Sequence, residues 1–420
     1  MANAGKIAEV LFENALDTYE DQVGLVDKTM VFTPDGATMQ NAGNVIHRIV
    51  DQHAPILSGW DLTGQEQEII EQTYPAYLGT PKNDFVSQRA DDMRDTGFWE
   101  RRGKASGRQQ HTELNDSLAN LIKNTGSLFY RSNATTGLGF IGEAQKIMNQ
   151  RQGAQTQRCF YLNDAESLTY ATELGSKQTL QGRPESDAWS KGQIGSNVAQ
   201  FDIYNSSFNP VILGGAASTT TTAATSFKPT GGSVDPVTFV VTNVDYRVAT
   251  IPVTASASFA VGDKVTFAGV NSIGLSSKND TGSLMTFTIV AKPNGTSVQI
   301  YPKPIALADG TLTVTEKACA NVTAVIASGV AMTRLNTDAS KSTNLFFDKD
   351  SIEVVGGTIP AQLLSQYNGL KVVNQTMSNG LNMYMIYDAN MVNMSLRYRL
   401  FVWYGLTNKD PSRNGVAVKF

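Results

Sequence analysis

The sequence predicts an α+β protein with a small β-barrel domain inserted into it, and three observations carry that reading. Residues 83–125 are crowded with charge of both signs, and Leu114, Leu118, Leu121 and Ile122 recur in their second half at helical spacing. Residues 226–341 are almost free of helical periodicity and lie between two low-complexity polar stretches, GGAASTTTTAAT (214–225) and NTDASKST (336–343). The remainder, 342–420, is strand-rich to its last residues.

Taken in order, residues 1–36 read as an arm. Ile7, Val10, Leu11 and Leu16 predict a short amphipathic helix that must dock on something, followed by irregular chain. In 37–81, Val45, His47 and Ile49 alternate with Ile46, Arg48 and Val50, and a second β-like run covers 68–77. Between them, Pro55, Ser58, Gly59 and Gly64 punctuate a tip, SGWDLTGQ, that carries Trp60. A two-stranded ribbon of this length is barely stable alone, so it is expected to pack against another subunit.

The segment 82–130 is expected to hold one long helix. Roughly forty residues at 1.5 Å each would span about 60 Å, more a beam than a core helix. Gly97, Gly103 and Gly107 predict a kink or break between residues 97 and 107. In 131–225, helices are expected over 141–148 and 165–174, the second capped by Asn163 or Asp164, with a buried strand, RCFYL, at 158–162. The threonine-rich stretch then reads as a linker.

In 226–341, short β-branched runs at 238–242, 248–253, 264–267, 285–291 and 297–301 suit a Greek-key barrel. Asn294-Gly295 reads as a type I′ hairpin turn. In 342–420 follow SIEVV, a hairpin turning at Asn379-Gly380, the run SLRYRLFVWYGL, and the alternating Val416, Val418 and Phe420 that tie the C terminus into a sheet.

Composition bounds the function. The 420 residues suggest two or three domains, and 41% hydrophobic with 17% charged residues is globular and lightly charged. A net charge of −4 offers no general footprint for nucleic acid or an anionic membrane. The cation-rich run 101–108 reads as a solvated helix face. No apolar run approaches the roughly twenty residues of a membrane helix, and acidic residues occupy the N-terminal stretch where a signal peptide is apolar. The chain is therefore expected to be soluble and made in a cytosol, with Cys159 and Cys319 reduced and buried rather than bridged.

The residues that chemistry would need are not grouped. His47, His53 and His111 form no ligand-spaced cluster, the cysteines form no CxxC pair, and there is no GxSxG elbow or Walker motif. No catalytic residue, metal or cofactor is expected. Asp91 and Asp92 point about 100° apart on a helix, which suits partners of Arg89 and Arg94 better than a shared site. Gly137, Gly139 and Gly142 spell GxGxxG, and Asp164 follows about twenty residues later, imitating a dinucleotide fingerprint. The polar RSNATT lies where that fingerprint requires a buried strand to end, so the glycines read as a loop entering a helix.

Several stretches, in order, resemble the coat proteins of short-tailed phages related to phage P22: GWDLT (59–63), NDF…RADDMRD (83–95), SFKP (226–229), GDKVTFAGV (262–270), YPKPIAL (301–307), NLFFDKDSIEVV (344–355) and WYGLTN (403–408). The resemblance implies the Hong Kong 97 capsid fold: an N-terminal arm, a β-ribbon called the E-loop (41–79), a spine helix (84–125) in a peripheral domain, an axial domain and the inserted barrel. It implies an icosahedral shell of triangulation number seven, built from pentamers and hexamers of this chain. A scaffolding protein and a portal protein would be partners, packaged double-stranded DNA would be touched only non-specifically, and assembly would take place in a bacterial cytoplasm.

The subunit-interface candidates that follow are Trp60, Asp61 and Leu62 at the ribbon tip, and Arg89, Asp91, Asp92, Arg94, Asp95, Arg101 and Arg102 around the spine. Asp235 and Asp245 in the barrel's early loop are the candidates for salt bridges across capsomers. That loop, TGGSVDPVTFVVTNVDY, is less charged than the family's, and the spine glycines also depart from it. The rival readings are a β-rich surface binding protein and a nucleotide-dependent enzyme.

Overall fold

The computed structural model describes residues 2–22, 24–50, 56–63, 70, 72–89, 97–133, 136–152, 157–176, 193–229, 233–234, 241–242, 245, 247–337, 339–359, 370–390, 392 and 394–419. Its helices among the described residues are α1 (Ala2–Glu20), α2 (Gly36–Asn41), α3 (Phe98–Thr125), α4 (Gly137–Arg151), α5 (Asp164–Ser176) and α6 (Val314–Ala318). The chain divides into two compact units, the first made of Met1–Ile46, Ala76–Leu118 and Glu353–Thr407, the second of His47–Pro75, Ala119–Ile352 and Asn408–Phe420.

In the first unit, the segment expected to open the long helix is instead a strand. Lys82–Arg89 pairs antiparallel with Ser395–Val402, in register Phe85↔Arg399, at the edge of a four-stranded sheet completed by Asn382–Asn390 and Lys371–Thr376. Its charges alternate between a half-buried face, with Asp84 and Val86, and an exposed one, with Phe85 and Arg89. Cross-strand partners distant in sequence outweighed the local charge pattern. The Lys371–Asn390 hairpin turns through Ser378–Gly380, with Gly380 at φ 87°, a three-residue loop ending in a left-handed glycine.

The long helix α3 therefore has 28 residues, about 42 Å, and it begins just after Gly97. It runs through Gly103 and Gly107 without the expected break. These glycines are where α1 crosses: a Cβ at either would collide with a backbone carbonyl of α1, Leu11 at the first and Ala15 at the second. The face of α1 that docks is Ala8, Leu11, Phe12, Ala15, Leu16 and Tyr19, while Val10, expected inside, is exposed. Its follow-on chain is also ordered, because Asn115 Oδ1 accepts from the Leu25 amide at 2.7 Å.

In the second unit, a six-stranded sheet runs in the order Leu128–Ser132, Asn414–Lys419, Asn344–Asp348, Arg158–Leu162, Phe201–Asn205, Gln193–Val198. RCFYL is the buried strand expected, and the C-terminal strand is central, parallel to Leu128–Ser132 and antiparallel to Asn344–Asp348. Phe140 and Ile141 of α4 and Tyr170 of α5 close its core against Phe160, Phe201 and Phe346. Asn163 caps α5, its Oδ1 accepting from the Glu166 amide at 2.9 Å.

The inserted barrel has the strand order Ser218–Thr220, Ala331–Arg334, Lys264–Ile273, Asp280–Asn294, Ser297–Tyr301, Ala249–Pro252, and a bridge from Thr221 to Val253 closes it. The run of three hairpin-linked strands with Ala249–Pro252 beside the last is a Greek key. Two expectations need correction. The threonine-rich stretch is no linker: Ser218–Thr220 is the barrel's first strand, because β-branched threonines suit a pleated surface as well as a loop. The Asn294-Gly295 pair is not a type I′ turn either. Neither residue has positive φ, and the Asn294 side chain accepts from the Thr296 amide at 2.9 Å instead. Helix α6, which no periodicity announced, is held by a capping box between Thr313 and Glu316. Cys159 and Cys319 are buried, as expected.

Candidate assembly surfaces

The ribbon is real at its root. Val45–Ile49 and Thr73–Tyr77 form a two-stranded sheet, extended by the Val50 amide donating to the Gln72 carbonyl at 2.9 Å. Toward the tip, Gly59 takes φ 145°, and the Asp61 carboxylate accepts from the Thr63 amide at 3.0 Å and the Thr63 hydroxyl at 2.7 Å. Those two bonds hold its pKa below the usual carboxylate range, so the tip keeps a fixed negative charge. Trp60 projects fully into solvent, Ile56 is 95% exposed and Leu62 41%.

The other motif stretches are used inside the chain. In SFKP, Ser226 donates to Asp309, Phe227 packs on the barrel core and Lys228 pairs with Glu316 at 3.4 Å. In GDKVTFAGV, Gly262 takes φ 90° against Asn124, and Asp263 pairs with the buried Arg334, whose Nε donates to it at 2.9 Å. Lys264, fully buried, donates to the Lys123 carbonyl at 2.7 Å, to the Gly126 carbonyl and to Thr288 Oγ1 at 2.8 Å. Three donors thus meet three oxygens at the C-terminal end of α3, where helix carbonyls lack partners and a positive charge is favoured. Burial holds the ammonium's pKa well below its ordinary value.

In YPKPIAL the Lys303 carbonyl accepts from Asn321 at 2.8 Å. In NLFFDKDSIEVV, Asn344 accepts from the Asn163 amide at 2.8 Å and Asp348 pairs with Arg413 at 2.9 Å, all within the six-stranded sheet and its edge. In WYGLTN, Trp403 Nε1 donates to the Gly79 carbonyl at 2.6 Å, and Gly405 passes so close to the Tyr77 carbonyl that no Cβ fits. Asn408 and Asn414 exchange amide hydrogen bonds at 2.8 and 3.0 Å.

The charged candidates divide. Arg102 serves the subunit itself: it forks onto Asp84 at 2.5 and 2.6 Å and reaches the Tyr398 hydroxyl at 2.9 Å. Asp245 is held by Arg247, both carboxylate oxygens accepting at 2.8 Å. Arg89, opposite Ser395, and Arg101 are on the surface. Asp91, Asp92, Arg94, Asp95 and Asp235 lie outside the described residues.

The GxGxxG glycines serve packing. Gly137 lies in the first turn of α4 where a Cβ would stand 2.7 Å from the Tyr170 Cα, and Thr136 caps the helix through the Gly139 amide at 3.1 Å. The Glu173 carboxylate accepts from the Leu138 amide at 2.9 Å, so an acid already occupies the helix end that a pyrophosphate would need. Among the described residues no group of three or more His, Cys, Asp or Glu is placed to hold a metal, and no helix is long and apolar enough to cross a membrane. Sequence reasoning missed Lys264, Arg247 and the Asp263–Arg334 pair. The one signal for the first was a lysine opening an otherwise apolar strand.

The model of the P22 coat protein family, gene protein 5, matches residues 1–419. The chain belongs to the P22 coat protein family. As a coat protein it builds the capsid of a tailed phage and is a structural component of the virion. Among solved structures it is similar to the capsid of the cyanophage P-SCSP1u, at 10% identity over 94% of this chain and 86% of that one, TM-score 0.46. It is similar to a chain from Mycobacterium phage Che8 at 10% identity, over 91% of this coat protein and 88% of that chain, TM-score 0.42. The CUS-3 coat protein I-domain is similar at 33% identity, over 29% of this chain and 96% of that one, TM-score 0.23.

Proposed function

We propose that this coat protein closes into pentamers and hexamers of an icosahedral shell of triangulation number seven, by docking the E-loop tip of each copy on its neighbour. The observation that carries the reading is the contrast among the motif stretches: each of the others described has a task inside the fold, whereas among the described residues GWDLT, with Trp60 wholly exposed, makes the local turn at Asp61. A large apolar side chain held outward on a structured turn is an anchor that awaits a surface.

Charge supports a neighbouring copy as that surface. Residues 50–72 carry five carboxylates (Asp51, Asp61, Glu66, Glu68, Glu71) and no lysine or arginine. One face of the four-stranded sheet presents Phe85 at 64% exposure together with Arg89, Arg397 and Arg399. Exposed ion pairs contribute only about 0.2 to 1 kcal/mol each, so a shell gains strength by repeating weak contacts, and misplaced subunits can leave. A scaffolding protein guides the early shell, a portal protein nucleates it, and packaging of double-stranded DNA, touched non-specifically, accompanies expansion. No catalytic turnover is part of this function.

Trp60→Ala tests the docking. The fold should lose almost nothing, because the ring touches only solvent, while closed shells should fail to form with the scaffold partner. Normal shells of the variant in negative-stain micrographs would sink the reading.

A further inference from the structure

The ribbon cannot hold its own direction. Two strands with an exposed tip are marginal in water, so whatever grips the root decides where Trp60 points. At that root Tyr74 is 1% exposed, and its ring lies 5.6 Å from the Arg247 guanidinium carbon; the Tyr301 ring lies 5.5 Å from the same atom. Thr73 forms an isolated parallel bridge with Asp245. Arg247 is 5% exposed. Its Nε and one terminal nitrogen donate to the two Asp245 oxygens at 2.8 Å each, its other terminal nitrogen donates to the Asn408 carbonyl, and its amide donates to Asp245 Oδ1 at 3.0 Å. One planar cation therefore joins the barrel's early loop, the barrel strand that ends at Tyr301, the C-terminal segment at Asn408 and the ribbon strand Thr73–Tyr77.

We infer that Arg247 is the positioning residue through which the inserted barrel aims the E-loop, so that the barrel directs assembly by orienting a tip it does not itself carry. The geometry of the fork is what the role requires. A lysine keeps the charge but cannot span both Asp245 oxygens and the Asn408 carbonyl while offering a flat face to Tyr74. Asp245, expected to bridge capsomers, is then the member that fixes the fork in place. Burial pulls the pKa of the nearby Lys303 down and Asp245 opposes that shift, so the carboxylate has a second cation to balance inside the same chain.

The inference rests on the docking reading for its consequence, but not for its geometry, and the test separates the two. Amide hydrogen exchange is measured on the unassembled full-length coat protein and its Arg247→Met, Arg247→Lys and Tyr74→Leu variants, and each is then assembled with scaffold and imaged. In Arg247→Met the amides of 45–50 and 72–77 should exchange about tenfold faster while those of the Lys264–Ile273 barrel strand keep their protection. Open or misshapen particles should replace closed shells. Arg247→Lys should fall between, and Tyr74→Leu, which removes only the ring contact and leaves the Asp245 and Asn408 bonds in place, should loosen the ribbon less than Arg247→Met. Unchanged ribbon exchange in Arg247→Met would overturn the proposal, as would loss of barrel protection in both Arg247 variants, which would make the residue a barrel staple. A loosened ribbon together with normal Trp60→Ala shells would sink the docking reading and leave the anchor standing.

Discussion

Gly59–Thr63 and Gly262–Lys264 look alike in the sequence: a glycine, an aspartate and a few neighbours at the end of a strand run. Both glycines take positive φ, and both aspartates are held by hydrogen bonds or an ion pair. Their surroundings are opposite. Around Asp263 and Lys264 every polar group is met within the barrel or at the end of α3, and Lys264 is wholly buried. Around Asp61, among the described residues, the turn is held by Thr63, and the ring beside it faces water. One motif completes the subunit and the other leaves a large apolar ring in water, and residue types alone do not separate them.

Substitutions can sharpen that contrast. The largest loss is expected from Asp263→Ala, which strands the buried Arg334 guanidinium without its carboxylate and should cost about 4 kcal/mol in urea unfolding of the monomer. Lys264→Met should follow at about 3 kcal/mol, since it takes the ammonium donor from the Lys123 carbonyl at the end of α3 and leaves the Gly126 carbonyl with the Thr288 hydroxyl alone. Trp60→Ala should change the same midpoint by less than about 0.5 kcal/mol while abolishing shells. If Trp60→Ala unfolded the monomer, or Lys264→Met left it untouched, the two motifs would not differ as described.

The arm's elbow offers a smaller, pH-dependent case. His111 is 2% exposed, packed edge-on to Tyr19 at 5.4 Å and beside Asn115, and burial lowers its pKa, opposed by Asp27 and by a bond with the Gln22 backbone. A base whose folded pKa is depressed binds fewer protons in the native state than in the unfolded one. Stability should therefore decline as pH falls below about 6.5 and level off beneath the folded value. Urea midpoints at about pH 7 and about pH 5.5 should differ less in His111→Gln than in the natural protein.

RCFYL, α5 with its Asn163 cap, the Ser297–Tyr301 strand and the Greek-key barrel were legible, because each is dictated by runs of residues close in sequence. The beginning of the supposed long helix was not, because Lys82–Arg89 takes its conformation from a strand more than three hundred residues away. The threonine-rich linker failed for the same reason, its partner being Ala331–Arg334. Gly103 and Gly107 were noticed and misread: their cost to an isolated helix was visible, the crossing of α1 that requires them was not. At the candidate site, the tip residues Trp60 and Leu62 could be picked out as apolar residues in a turn, whereas Arg247 could not, since its partners Tyr74, Tyr301 and Asn408 lie in three remote segments.

By itself the sequence determined the class of protein, the existence of an inserted β domain and the ribbon that carries Trp60, since composition, strand periodicity and turn residues are local properties of the chain. Only the tertiary structure decided which charges are internal fasteners and which remain at the surface. A side chain's ionic partner is set by contacts across the fold, and burial turns an ordinary lysine or arginine into a structural element that its neighbours in sequence do not reveal.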